Sequence, residues 1–452
     1  MMGKYAFLRS LVTGATLLLM TLPAYAANEA LMELLKALHE NGTIDASTYD
    51  LVKRVAESEG QSGRMQAEQV TPVQTEKTVA RLVDEKIDQI KTDMAKTKPK
   101  VRIGGRLQVD SATYNEDVNR HSDGTEIRRA RLFAQGDLGT NWAYKLQYDF
   151  TATGLNGVQD AYLDYKGFDR FKIRLGHFKE PSGLQNGTSS KYNTFMERGL
   201  PHLFTEGRNL GIQASTNAKN WSLAAGVFGQ GRDGAGGDND EGWGMAARGT
   251  YAPILNDENV LHLGASISHR MTGSVDTLRF RERPESHVTD TRIVDTGTFD
   301  ANDYTRIILE SAYVQGPFSL QGEYYYTTVN RDIAGNPDLD FDGFYIEGGW
   351  FLTGESMNYK GSSGSFSRIS PNSVVGSGGW GAWQVALRFS NVDLTDADIN
   401  GGEADSFTVG LNWFATQDIR FTANYVNVLN VDGGPSPGDE PDVFQVRAQY
   451  EF

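Results

Sequence analysis

The last eleven residues, Asp442-Val443-Phe444-Gln445-Val446-Arg447-Ala448-Gln449-Tyr450-Glu451-Phe452, decide the fold. Phe444, Val446, Ala448, Tyr450 and Phe452 fall on one side of an extended chain. Gln445, Arg447, Gln449 and Glu451 fall on the other. A period of two marks a strand with one apolar and one polar face. In water, an exposed edge of this kind invites aggregation. In a closed barrel that crosses a bilayer, the apolar side meets lipid and the polar side meets a wet lumen.

The same period runs back through the chain to residue 101. Val101, Ile103, Leu107 and Val109 alternate with Arg102, Gly104, Arg106, Gln108 and Asp110. Further alternating segments are expected near 126–138, 142–151, 157–166, 170–178, 208–217, 220–230, 242–252, 259–269, 305–315, 317–328, 342–353, 380–391, 405–415 and 418–428. Together with the first and last, they predict an all-β fold, an antiparallel transmembrane barrel of about sixteen strands. The connections alternate in length. Short ones include Thr140-Asn141, Gly316-Pro317 and Thr416-Gln417, and long ones 114–125, 179–207, 270–304, 329–341, 391–404 and 429–441. Outer-membrane barrels place short turns on one side and long loops on the other. The long connection 354–379 falls on the short-turn side and breaks the rule. A terminal strand ending on an aromatic residue also resembles the recognition signal of such barrels.

Ahead of residue 101 the pattern is different. Lys4 and Arg9, an apolar run from Leu11 to Leu22 and Ala24-Tyr25-Ala26 form a secretory signal, with cleavage expected after Ala26. The alternative is a retained anchor, for which the run is short. Residues 27–100 are expected to form a helical, partly flexible periplasmic segment. Leu31, Leu34, Leu35 and Leu38 share one helix face, and Asp45 to Ala56 reads as a second helix. Val83, Ile87, Ile90 and Met94 fit either a short coiled coil or a single amphipathic helix. The chain has no cysteine, which excludes lipoprotein anchoring and disulfides. Its formal net charge is −15, and losing Lys4 and Arg9 makes it more acidic, which argues against nucleic acid as a partner. Mean hydropathy is −0.44, as expected when only one face of each strand is apolar.

Alternation sorts side chains into two faces. Tyr144, Leu146, Tyr148 and Phe150, and later Phe407, Val409, Leu411 and Trp413, are assigned to lipid. The lumen receives Arg102, Arg106, Arg129, Arg131, Lys145, Lys172, Arg174, Arg248, Arg388, Arg420 and Arg447. It also receives Asp110, Asp137, Asp149, Asp160, Asp164, Glu310, Glu323, Glu347 and Glu451. Most of the early cations lie on strands one, two and five, whereas Glu310, Glu323 and Glu347 lie on strands ten to twelve. Opposed walls would set a transverse field, and fixed positive charge would favour anions. For any single charge, the alternative is simple hydration of a polar wall. Loop 179–207 is the expected constriction, although its length also permits an external position. It carries Lys179, Lys191 and Arg198, with Ser182, Thr188, Ser189 and Ser190. Short hydroxyl side chains leave backbone N–H groups open to oxyanions, and arginine can fork onto two phosphate oxygens.

Over residues 101–452 the chain resembles the phosphate-selective porins O and P. The resemblance rests on Gly104-Gly105-Arg106-Leu107-Gln108, Ile127-Arg128-Arg129-Ala130, Trp142 to Asp149, Gly183-Leu184 through Thr188-Ser189-Ser190-Lys191 to Glu197-Arg198, Gly211 to Ser215 and Leu411 to Ala415. It implies a sixteen-stranded homotrimer whose third loop folds inward. It also implies an anion site of Arg128, Arg129, Arg198, Ser189 and Ser190. The reading of the residues themselves agrees for Arg129 and Arg198, whereas alternation turns Arg128 outward. The chain departs from the family pattern at Arg131 and Lys179, where tyrosines are usual. It departs again at Asn186-Gly187, which replaces a lysine position, and at Gln159, which replaces an aspartate.

The expected function is passive diffusion of small hydrophilic solutes through a water-filled outer-membrane pore, favouring anions such as phosphate. Lipid and two further copies of the chain are the expected partners, and no cofactor is expected. The rivals are a weakly selective general porin, a barrel enzyme and an adhesin with long loops such as 270–304. The histidines, His121, His177, His202, His262, His269 and His287, are scattered and form no nucleophile–base cluster in sequence.

Overall fold

Alternating side chains satisfy both solvents of a membrane barrel only if the sheet has no free edge. The computed structural model describes residues 99–231, 240–274, 276–331 and 335–452, with seven helical positions between Lys36 and Lys53. Sixteen strands close one antiparallel barrel in chain order. They are β1 (Arg102–Asn115), β2 (Gly124–Leu138), β3 (Trp142–Asp149), β4 (Val158–Tyr165), β5 (Lys172–Lys179), β6 (Arg208–Asn217), β7 (Trp221–Gly229) and β8 (Trp243–Leu255). There follow β9 (Asn259–Met271), β10 (Asp303–Gln315), β11 (Phe318–Asn330), β12 (Leu339–Phe351), β13 (Ala382–Asp396), β14 (Ile399–Phe414), β15 (Ile419–Asp432) and β16 (Asp442–Glu451). β16 pairs with β1 from Arg106↔Glu451 to Asn115↔Asp442, which closes the ring.

The chain divides into two units, Met1–Lys91 and Thr92–Phe452. In the first, Lys36, His39, Glu40, Ala46, Tyr49, Asp50 and Lys53 are helical, and the His39 and Tyr49 rings stack at 4.8 Å. The expected signal peptide, the coiled coil near 78–94 and the segment joining it to the barrel lie outside the described residues.

Leu146, Leu175, Ile127, Leu223 and Leu309 are more than half exposed, on the outer face of the barrel. On the inner face Asp149, Ser406, Thr408 and Asn412 are buried. Such an outer face belongs in hydrocarbon. Residues 391–404, expected as a loop, are instead a hairpin. β13 and β14 run on to a two-residue turn at Ala397-Asp398. Asp393, Glu403 and Asp405 give this stretch the composition of a loop, yet Val392, Leu394 and Ala404 on its other face pack against Ile293 and Val294. That partner segment lies within the long connection expected at 270–304. It folds into the barrel, where Glu285 accepts from the Arg388 guanidinium, Ser390 Oγ and Thr408 Oγ1.

The long connection between β12 and β13 also turns inward. Tyr359–Lys360 pairs with Ser365–Phe366 as a small hairpin. Met357, Phe366 and Ile369 bury against Val260, Ala312, Val314 and Phe351 of the wall and against Leu184 of loop 180–207. An interior face explains why this connection tolerates such length on the short-turn side.

Two substitutions test this architecture. Placing arginine at Leu146 should destabilise the folded barrel by about 2–4 kcal/mol near the bilayer midplane, and the same change at Gln147 should cost much less. Equal costs in urea unfolding from liposomes would contradict the assigned faces. Leu184→Ala should cost about 2–5 kcal/mol, because Leu184 is fully buried between loop and hairpin. A cost below about 1 kcal/mol would mean that the two segments do not pack.

Candidate functional site

Loop 180–207 leaves the wall at Lys179 and returns at Arg208, which face each other across β5 and β6. Its stem is clipped by two glutamates. Glu180 accepts from Asn209 Nδ2 at 2.7 Å and from Arg270, and Glu206 accepts from the Tyr304 hydroxyl at 2.6 Å and from Arg306 at 3.0 Å. Gly183 then turns at φ 60, and a Cβ there would lie 2.6 Å from a Glu323 oxygen. Only glycine permits that approach. The turn aims the Leu184 and Gln185 N–H groups at the Glu323 carboxylate, at 2.5 and 2.9 Å. Further on, Arg420 donates to the carbonyls of Asn193 and Thr194, at 2.8 and 2.5 Å, and Arg447 to that of Met196 at 2.5 Å. The loop crosses the interior and is held on the walls opposite its own stem.

Arg128 sits in a β-bulge. Gln108 pairs with Arg129 and Val109 with Ile127, so Arg128 is the extra residue on β2. A bulge re-aims a side chain that strict alternation would send outward, and here both arginines face in. Arg128 forks onto Glu197 of the loop, with Nε–Oε1 2.9 Å and Nη2–Oε2 3.0 Å. Arg447 meets the same carboxylate at 2.8 Å, and Arg129 Nη1 lies 3.8 Å from it. Burial would raise the Glu197 carboxyl, but Arg128, Arg129 and Arg447 outweigh it and hold it well below the usual carboxylate range. Arg129 also donates to Gln108 Oε1 at 3.0 Å.

The inner wall of β1 to β6 is cationic. Arg106 stands directly opposite Arg131 in the β1–β2 register. Arg131 reaches Asp149 at 2.5 Å, whereas Arg106 has no hydrogen-bond or ion-pair partner among the described residues and is 8% exposed. Asp160 is shared by Lys145 at 2.6 Å and Arg208 at 2.7 Å. Asp164 is shared by Arg174 at 2.7 Å and Lys172 at 3.6 Å, and Arg174 also covers the Tyr162 ring at 3.7 Å. Arg102 lies over the Phe133 ring at 5.8 Å. At the end of β5, Lys179 Nζ donates to the Asn186 carbonyl of the loop at 2.5 Å, and within the loop Arg198 Nε donates to that of Gln185 at 3.0 Å. Lys191 is bound to Glu451. Ser189 Oγ accepts the Lys191 N–H at 3.5 Å, and the Ser190 carbonyl accepts from Gln108 Nε2 at 3.4 Å. Burial, then the charges of Arg198 and Lys179, push the His202 imidazole well below its ordinary range, so it adds no charge of its own.

The three glutamates expected to face water on the far wall are instead covered. Glu310 and Glu323 oppose each other directly, a repulsive register. Arg248 forks onto Glu310 at 2.7 and 2.8 Å, and the loop amides and the Tyr345 hydroxyl satisfy Glu323. Glu347 accepts from Gln185 Nε2 at 3.1 Å and lies 3.7 Å from Arg388. Loop and hairpin lie over these acids, so they act as anchors and set no field across open water. Arg208 and Glu197 are the residues that sequence reasoning passed over. Arg208 opens β6 on the parity of the exposed Leu210 and Ile212, so alternation turns it outward, yet its Nε reaches Asp160 on the inner wall at 2.7 Å.

Residues 101–452 match the phosphate-selective porin O and P family. The chain is 28% identical over 395 residues to Porin O of Pseudomonas aeruginosa, covering 78% of this chain and 88% of that protein. It is 31% identical over 336 residues to an uncharacterized protein of Caulobacter vibrioides, covering 71% and 67%. Among solved structures, an anion-selective porin from Comamonas acidovorans aligns with a TM-score of 0.52 at 14% identity, over 78% of this chain and all of that one, which supports the fold. A closed sixteen-stranded barrel, apolar outside and crossed by an inward third loop, thus joins a family match over its whole length: the chain belongs to the phosphate-selective porin O and P family and is an outer-membrane porin.

Proposed function

We propose that this channel passes small hydrophilic solutes by diffusion, favours anions, phosphate among them, and works as a homotrimer without a cofactor or catalysis. The observation that carries the reading is the uncompensated Arg106 opposite Arg131, beside a second like-charge pair, Lys179 and Arg208. Like charges directly opposed destabilise a sheet. A wall that keeps two such pairs raises the local concentration of anions. Phosphate follows from the family and from the forked donors that arginine offers to its oxygens.

Trimerisation fits the strand lengths. β3, β4 and β5 have eight residues each. At a rise of about 3.3 Å and a tilt of about 40°, they span only about 20 Å of an apolar band about 25 Å tall. A neighbouring copy would cover the shortfall. The histidines take structural partners: His121 meets Asp439 at 3.0 Å, His262 the Tyr359 hydroxyl at 2.6 Å and His287 the Glu126 carboxylate at 2.8 Å.

Reversal potentials across a planar bilayer in a KCl gradient decide the sign, and a cation preference in the native trimer would end this reading. Phosphate added to a chloride bath should block chloride current saturably. The preference should also weaken between about 0.1 and 1 M KCl, as the screening length falls from about 10 to about 3 Å. A permeability ratio independent of salt would speak against selection by fixed wall charge.

A further inference from the structure

We propose that Glu451 is a positioning residue for permeation. Its one carboxylate ties the tip of the inward third loop and the periplasmic hairpin to the closing seam, and so sets the constriction and the exit of the bore together. This role goes beyond ion preference and holds whichever ion the pore favours.

Glu451 is the penultimate residue, on the inner face of β16, and is 2% exposed. A buried carboxylate needs charged and hydrogen-bonded partners. Those of Glu451 come from two segments far apart in the chain. Lys191 Nζ and the Tyr192 hydroxyl of the loop donate to its Oε2, the hydroxyl at 3.2 Å. Arg368 Nη2, from the connection 354–379, lies 3.0 Å from the same oxygen. Arg106 stands opposite Glu451 in the β1–β16 register. Without the carboxylate, Lys191, Arg368 and Arg106 would face one another with no counter-charge, and their repulsion would push loop tip and hairpin off the wall together.

Each segment reaches Glu451 at the end of a long span. The hairpin crosses the short-turn end of the bore. On its far side the Ser363 and Gly364 carbonyls accept from Arg248 of β8 at 3.3 and 2.7 Å, and the Tyr359 hydroxyl meets His262 of β9 at 2.6 Å. A Cβ at Gly361 would lie 2.3 Å from the Lys219 carbonyl oxygen, in the turn between β6 and β7. On its near side Arg368 binds Asp418, in the turn between β14 and β15, at 2.9 Å, and Glu451 beyond it. The hairpin thus runs as a bar from β7 and β8 to β16. The loop tip has other ties, but they are long. Gln108 donates to the Ser190 carbonyl at 3.4 Å, and Gln449 and Arg420 to that of Lys191 at 3.2 and 3.3 Å. Ion-paired hydrogen bonds are shorter and stronger than such contacts, so Glu451 supplies the firm end of both spans.

The chain has no cysteine, so one introduced thiol can report on each segment. Full-length protein carrying Ser190→Cys in the loop or Ser367→Cys in the hairpin is folded into liposomes and treated with a water-soluble maleimide. Glu451→Gln should speed labelling at both positions about tenfold, Lys191→Met only at 190 and Arg368→Gln only at 367. In planar bilayers Glu451→Gln should add brief closures to the single-channel current, and Glu451→Asp, which keeps the charge, should bring them back toward the native frequency. The closures of Glu451→Gln should become rarer between about 0.1 and 1 M KCl, because salt screens the repulsion among the freed cations. A packing defect would not respond to salt in this way. Heat-modifiable mobility on gels checks folding. Should Glu451→Gln fail that check, Lys191→Met and Arg368→Gln carry the comparison, since each keeps the carboxylate. Loosening of one segment alone in Glu451→Gln would overturn the proposal, as would closures indifferent to salt or native labelling in both Lys191→Met and Arg368→Gln.

Discussion

Closure of the sheet between its first and last strands is the constraint from which the rest follows. The ladder from Arg106↔Glu451 to Asn115↔Asp442 leaves no strand without a neighbour, so the backbone of every strand can cross hydrocarbon with its polar groups paired. The seam extends past β16, where Gly105 and Phe452 exchange N–H···O bonds of 3.1 and 3.2 Å. Cβ atoms at Gly104 and Gly105 would lie 2.6 Å from the Phe452 carbonyl oxygen and 2.8 Å from its ring. Two glycines therefore admit the terminal aromatic residue, and the residue after them, Arg106, is delivered to the inner face at a fixed height. The register of closure thus places the first cation of the wall.

A cylinder this wide has no apolar centre, so segments that enter it are tied by charge. Glu180, Glu206, Glu285 and Glu323 each join a loop to the wall or to its neighbour, and Arg388, Arg420 and Arg447 reach inward to loop carbonyls. Buried backbone groups need such partners, and arginine offers several donors in a fixed fork. Apolar contacts add to this most extensively on one side. There Leu184, Phe366 and Met357 meet the wall, and Phe280, Ile293 and Val294 meet β12 to β15. The inward segments crowd the side of the barrel that carries Glu310, Glu323 and Glu347, which leaves the basic wall of β1 to β6 as the side whose cations keep free donors.

The strands were legible because a period of two survives almost everywhere along them. Its failures are informative. At Arg128 one added residue on β2 shifts the parity, and sequence alternation has no means of registering an insertion that only its partner strand reveals. At 391–404 the outward acidic residues resembled loop chemistry, because the hairpin there rises beyond the lipid and no longer needs an apolar outer face. Glu310, Glu323 and Glu347 have the inward parity, yet parity says only that a side chain points inward. Whether water or a folded loop waits there depends on residues more than a hundred positions away, such as Leu184 and Gln185. The inward path of 272–302 was hidden for the same reason. Phe280, Ile293 and Val294 make no periodic pattern, and their burial exists only once β13 and β14 stand beside them.

The two repulsive registers of the barrel were resolved in opposite ways, and that contrast bears on function more than any single residue. Glu310 faces Glu323, and the fold spends Arg248, two loop amides and a tyrosine hydroxyl on relieving them. Arg106 faces Arg131 and Lys179 faces Arg208, and there the relief is incomplete: Asp149 serves one side, and half of Asp160 the other. Acidic residues were available nearby, since Glu197 and Glu451 sit on adjacent elements and are given instead to Arg128, Arg447, Lys191 and Arg368. A fold that neutralises one set of like charges and leaves the other short of partners retains a cost in stability along one wall. A passing anion repays that cost for as long as it stays there, which makes the wall attractive to negative solutes without requiring it to hold them.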